Sequence, residues 1–201
     1  MDTPLKVGIL LFDDVDLLDV GGPYEVFLAA SRLNERRTGQ RAFDVRTISA
    51  NGTAVTSYGG MGLTPSHQMS DIVGLDVMVV PGAISIDEVA ARPEVVGAVK
   101  TLVGRSDTVT SVCTGAFLLA DQGMLNGISW TTHPEDIESL AKSRGLEGAV
   151  PGARWVDEGR VVTAGGLCNG IAMALHMVDR LLGRELAVGT AELICFPWSP
   201  E

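Results

Sequence analysis

Short apolar runs that stop abruptly, with helical stretches between them, most narrowly limit how this chain can fold. Leu5 to Phe12 (LKVGILLF) ends at Asp13-Asp14, Asp76 to Val80 (DVMVV) ends at Pro81-Gly82-Ala83, and Thr108 to Val112 (TVTSV) ends at Cys113. Each is too short for an ordinary core helix and rich in aliphatic or β-branched residues, so each reads as a buried strand. Phe43 to Ser49 (FDVRTIS) reads as a strand by its alternation, and Ile128 to Thr132 (ISWTT) as a short one ending at His133. Arg154 to Asp157 and Arg160 to Ala164 read as a hairpin around Glu158-Gly159.

The intervening stretches carry helix signals. Pro23 suits a first turn, with the helical pattern running from Tyr24 to Leu33, and Pro93 opens a helix to about Val103. Shorter helices are expected from Ser85 or Ile86 to Ala91 and from Gly115 to Ala120, then from Pro134 to about Arg144. Ile171 to Leu182 and Glu185 to Ile194 complete the set. The stretch from Asn51 to His67, rich in Gly, Ser and Thr, reads as a hairpin-like excursion with His67 in a surface loop. Strands alternating with helices predict an α/β fold, a mostly parallel sheet covered on both faces. Residues 1–201 read as one domain.

In such a sheet, chemistry gathers at the carboxyl ends of the strands. Asp19, Gly82-Ala83, Cys113 and His133 each follow a strand. Cys113 lies on a tight strand-to-helix turn, with Ser111 two residues before it and Gly115 two after, the pattern of a nucleophile elbow with sulfur in place of oxygen. A helix start aimed at the sulfur favours thiolate, so the thiol is expected to titrate below its ordinary value of about 8.5. Asp19 is flanked by Leu17, Leu18 and Val20, a setting in which a carboxylate is hydrogen-bonded or functional, whereas Asp13, Asp14 and Asp16 read as a solvated loop. Thr114 can add a hydroxyl, and the N–H groups of Gly82, Ala83 and Thr114 can steady negative charge. His133 is a candidate base or a strand-end cap. His176, Cys168 and Cys195 read as structural. No metal-ligand spacing is present and no cofactor is expected.

A net charge of −10 argues against nucleic acid as a direct partner, and no apolar run is long enough to cross a membrane. Three cysteines fit a reducing compartment better than a disulfide framework, and Met1-Asp-Thr-Pro-Leu-Lys shows no leader pattern, so a cytoplasmic location is expected.

The stretches LLFDDVDLLDVGGPYEVF, VMVVPGA, SVCTGAFLLADQGML, TTH and GRVVTAGGLCNGIAMAL together resemble the DJ-1/PfpI superfamily. SVCTGA with LLDxxGPYEVF is similar to the branch that holds isocyanide (isonitrile) hydratases and the sensor domains of AraC-type regulators. The resemblance implies a flavodoxin-like sandwich and a homodimer. It also implies a small electrophile as substrate, with Cys113 as nucleophile, Asp19 as catalytic carboxylate and Thr114 as the residue beside the nucleophile. Two positions depart from the pattern: Ala83 replaces the second Gly after the proline, and Ala172 replaces Asp after Gly170-Ile171. Thr114 in place of His argues against a peptidase. The expected activity is hydration of isocyanides to N-substituted formamides; a cofactor-free glyoxalase, a ligand sensor and a redox sensor are the alternatives.

Overall fold

A computed structural model describes residues 3–199 of the chain. Met1 and Asp2, at the N-terminus read above, lie outside it, as do Pro200 and Glu201. The strands are β1 (Leu5–Leu10), β2 (Phe43–Ser49), β3 (Val55–Thr56), β4 (Gly62–Leu63), β5 (His67–Gln68), β6 (Leu75–Val80), β7 (Ser106–Val112), β8 (Trp155–Asp157) and β9 (Val161–Ala164). The helices are α1 (Leu17–Thr38), α2 (Ile86–Ala90), α3 (Pro93–Val103), α4 (Gly115–Ala120), α5 (Ile137–Arg144), α6 (Asn169–Leu182) and α7 (Arg184–Leu193).

Seven strands form one sheet in the order β5-β2-β1-β6-β7-β9-β8, and β3 and β4 make a separate two-stranded ribbon. Every neighbouring pair in the large sheet is parallel except β8 with β9. Helices α1, α6 and α7 pack together on one side, and α2, α3 and α4 on the other. This is the expected flavodoxin-like α/β sandwich. Burial on both faces explains the largely apolar character of β1 and β6: Val7, Ile9, Val77, Met78, Val79 and Val80 are all fully enclosed. No helix among the described residues is long and apolar enough to cross a membrane.

The chain winds from β1 to β2 on one side and places β6 on the other, so its direction of winding reverses at the β1/β6 junction. Ligands of open α/β sheets bind beyond the carboxyl ends at such a reversal. Three strand-end segments are tied together there. The Asp16 N–H donates to the Gly82 carbonyl at 2.9 Å, and Val15 forms an isolated bridge with Ala83. The Thr114 hydroxyl is joined twice to Ala83, donating to its carbonyl at 2.8 Å and accepting from its N–H at 2.9 Å.

Several elements differ from expectation. Helix α1 starts at Leu17, not in the turn before Pro23, because Asp16 caps it: its carboxylate accepts the Leu18 N–H at 3.2 Å. Pro23 therefore sits inside the helix. Ile128 to Thr132 forms no strand; only Trp130 makes an isolated bridge, with Ala149. Pro134 to Asp136 is a 3₁₀ turn before α5. His67 lies in the edge strand β5, paired alongside Ile48, rather than in a loop. The hairpin-like excursion is present as β3 and β4.

Gly115 is required by close approach. A Cβ there would collide with the Val80 carbonyl oxygen and fall 2.9 Å from that of Pro81. Both obstacles are backbone and cannot swing aside. Gly115→Ala is expected to cost about 1–3 kcal/mol, the usual range for overpacking, read as a lowered urea midpoint with unchanged slope.

Candidate active site

Cys113 follows the last residue of β7 with φ of 56°, in the left-handed region where a side chain with a Cβ is strained. The surroundings enforce this. The Cys113 N–H is shared between the carbonyls of Ala164 and Gly165, at 3.2 and 3.1 Å, and the Thr132 hydroxyl donates to the Cys113 carbonyl at 2.8 Å. Chain direction then reverses into α4 within one residue. The sulfur opens on a cleft of about 240 Å³ whose walls include Thr114, His133, Ile84 and Leu167.

Asp19, in the first turn of α1, is completely buried. Its Oδ2 accepts the Gly82 N–H at 3.0 Å, while Oδ1 has no hydrogen-bond partner. The carboxyl stands against the Cys113 thiol and the Leu167 N–H, and both interactions favour its ionised form. Burial outweighs them and pushes Asp19 up from 3.8 to about 7, with the charge of Asp16 adding to the rise.

The thiol behaves opposite to the expectation of a depressed pKa. Burial first, and the Asp19 charge second, push Cys113 up to about 12. The Thr114 N–H at the start of α4 lowers it, as the helix-start argument requires, but desolvation in this enclosed place is the larger effect. The two raised acids are in contact, so their titration belongs to the pair.

The N–H groups of Gly82 and Ala83 were expected to face the sulfur or substrate. They are engaged elsewhere: Gly82 holds Asp19 and Ala83 holds Thr114. The Thr114 hydroxyl is likewise occupied by Ala83, which makes Thr114 a positioning residue while its N–H remains directed at the sulfur. His133 does border the cleft, but its Nδ1 faces the Glu135 N–H at 3.4 Å and the Asp136 carboxylate at 3.5 Å. His176 pairs with Asp157 at 2.7 Å and stacks on Trp155, a structural arrangement. Cys168 and Cys195 are exposed, so neither is a core residue. Ala83 is buried, and Ala172 is fully enclosed in α6 and does not line the cleft. Among the described residues no group of His, Cys, Asp and Glu is arranged to hold a metal ion.

Four participants were not anticipated. Asp16 is a helix cap that also lines the cleft, and an Asp directly before an apolar run is the signal that marks it. Thr132 reaches Cys113 across 19 residues, Leu167 takes up φ of 52°, and Ile84 is exposed at the cleft; nothing local in the sequence announces these three.

A family model described as the DJ-1/PfpI family matches residues 5–180. The chain belongs to the DJ-1/PfpI family. Among its relatives, the isonitrile hydratase of Pseudomonas putida is 31% identical over 191 residues, covering 94% of this chain and 76% of that protein. The HTH-type transcriptional regulator GbdR of Pseudomonas aeruginosa is 25% identical over 96% of this chain, which spans 51% of the regulator. In three dimensions the chain is similar to a ThiJ/PfpI family protein from Pseudomonas syringae, with a TM-score of 0.82, 22% identity and coverage of 98% of this chain and 77% of that one.

The buried pair has two measurable consequences. Between pH 3.8 and about 7 the folded chain retains on Asp19 a proton that the unfolded chain has released, so stability falls as pH rises through this window. Asp19→Asn is expected to flatten that slope when urea midpoints are compared across pH. The same substitution removes a charge that raises the thiol, so Cys113 should be alkylated faster by iodoacetamide at neutral pH in the variant. In the wild type, exposed Cys168 and Cys195 should react before Cys113, as peptide mass spectrometry would resolve.

Proposed function

We propose that this protein is a cysteine-dependent lyase that hydrates isocyanides to N-substituted formamides. One observation carries the reading: a strained Cys113 at a strand–helix elbow faces a fully buried carboxyl group whose pKa is raised to the middle of the physiological range. Similarity to an isonitrile hydratase supports this choice of substrate class.

The chemistry needs one mobile proton, and the Asp19–Cys113 pair holds one. The sulfur attacks the terminal isocyanide carbon and forms a C–S bond. Asp19, protonated as the thiol proton passes to it, delivers that proton to the same carbon. The product is a thioimidate on Cys113, with Asp19 ionised. Asp19 then takes a proton from water while hydroxide adds to the thioimidate carbon, and returns that proton to nitrogen. Collapse of the hydroxyl to a carbonyl breaks the C–S bond. The formamide leaves, and the hydroxyl proton is recovered by Asp19. Gly82 holds the carboxylate in reach throughout, and the Thr114 N–H steadies the sulfur as charge returns to it.

Cys113→Ala is expected to abolish turnover, Asp19→Asn to lower the rate by about 10²–10⁴, the range for loss of a general acid–base, and Thr114→Val to cost less. Formamide formation from an alkyl isocyanide, followed by ultraviolet absorbance, tests this. No turnover by the wild type, alongside consumption of methylglyoxal, would replace the hydratase with a glyoxalase. Similarity to GbdR favours one other reading, a ligand-sensing domain, and ligand binding without turnover of either substrate would select it.

We further propose that the protein acts in the cytoplasm as a homodimer of one such domain. Light scattering is expected to give a mass near twice 21.1 kDa, and a monomer at micromolar concentration would contradict the dimer.

A further inference from the structure

The cleft over Cys113 continues beyond the residues around the sulfur. It shares Ile84 and Asp136 with a second depression of about 250 Å³, bounded by Glu88, Phe117 and Ser139. The two form one groove leading away from the thiol, wide enough at its inner end for a small electrophile and extended enough at its outer end for a tail.

Charge along this groove is one-sided. Asp16, Glu135 and Asp136 line the inner part and Asp87 and Glu88 the outer, and no Lys or Arg lines either. Among the described residues Asp87 alone of these five carboxylates has a Lys or Arg ion-pair partner, Arg144; His133 faces Asp136 at 3.5 Å. The nearby guanidinium of Arg144 lies over the Phe117 ring and is bound by Asp87 and Asp121, so its charge is already matched. The acids act on one another and on the sulfur. Burial and the charges of Glu135 and Asp87 raise Asp136, against a lowering by His133, and Asp16 and Asp136 both help to hold the Cys113 thiol up.

A second feature points the same way. Asp19 Oδ1 is fully buried and has no hydrogen-bond partner, and its carboxyl stands against Cys113 and Leu167, two residues of the cleft wall. When ionised, this carboxylate behind the cleft wall adds negative charge at the sulfur, which favours a ligand that brings positive charge and opposes one that brings a second anion.

We propose that this site selects electrophiles by charge: it takes those whose non-reacting end is cationic, an ammonium or amidinium group seated among Glu88, Glu135 and Asp136, and turns away analogues that carry a carboxylate or sulfonate. Neutral electrophiles enter without help from the field. The inference rests on Cys113 being the reactive group, and it holds whichever class of electrophile the enzyme consumes.

Thiol labelling tests it without assuming a substrate. Wild-type protein is treated with matched methanethiosulfonates bearing a trimethylammonium or a sulfonate group, and modification of Cys113 is followed by peptide mass spectrometry. The same pair of rates on the urea-unfolded chain corrects for the preference of any thiolate for a cation. The ammonium-to-sulfonate ratio at Cys113 is expected to exceed that of the unfolded chain on the order of tenfold, and to shrink in about 0.5 M salt as screening shortens the field. Glu88→Gln and Glu135→Gln, both at exposed positions, should each lower the ratio. A folded ratio equal to the unfolded one, or one unmoved by both substitutions, overturns the proposal. A parallel comparison of kcat/KM for ammonium- and carboxylate-bearing isocyanides separates the two readings. A high labelling ratio without isocyanide turnover removes the hydratase and leaves charge selection standing. Turnover indifferent to charge, with a labelling ratio of one, does the reverse.

Discussion

The left-handed backbone at Cys113 is the constraint on which the reactive end of the molecule depends. A non-glycine residue in this region costs on the order of 1–3 kcal/mol and persists only where its surroundings over-determine it. Here they do. The N–H of Cys113 is held by the turn after β9, its carbonyl by Thr132, and the next glycine is pressed against the end of β6. Release of any one would let the turn relax toward ordinary geometry and carry the sulfur away from Asp19.

The placement of Asp19 is expensive in a different way. A carboxyl group with no exposed surface has exchanged water for the backbone N–H groups of Gly82 and Leu167 and a thiol. Its ionised form is poorly compensated, so it retains a proton to near neutrality, and its charge in turn opposes ionisation of the sulfur. The fold thus gives up stability above pH 3.8 to keep a carboxyl group buried against the thiol. A short helix start does not reverse this, because desolvation acts on the whole thiolate while the N–H of Thr114 offsets only part of it.

Precision at the site comes from connections between loops. Asp16 binds Gly82, Gly82 binds Asp19, and the Thr114 hydroxyl binds both the N–H and the carbonyl of Ala83. The loops after β1, β6 and β7 are therefore tied into one unit. The Gly82 and Ala83 N–H groups are the fasteners of that unit, and what faces the cleft is mainly side chains: Cys113 and its acidic and apolar walls.

Much of this was legible without a structure. Strand β2, helix α3 and helix α4 fall where residue pattern alone puts them, because each is bounded by strong local signals: Ser49 before a turn, Pro93 at a first turn, Gly115 after the elbow. The elbow itself follows from small residues around Cys113. Helix α1 was legible in kind but not in extent, since a proline inside a helix is locally indistinguishable from one that begins it; Asp16 decided the matter by capping the chain earlier. What local pattern could not supply was the outcome of competition between distant groups. The direction of the Cys113 shift, the engagement of the Gly82 and Ala83 N–H groups, and the reach of Thr132 all depend on which atoms the winding of the sheet brings together. The sequence by itself determined the α/β alternation and the candidate cysteine and carboxylate, because these rest on periodicity and turn chemistry within a few residues. Only the tertiary structure decided how that pair is charged and what surrounds it, because burial and Coulomb interaction depend on distance in space and not along the chain.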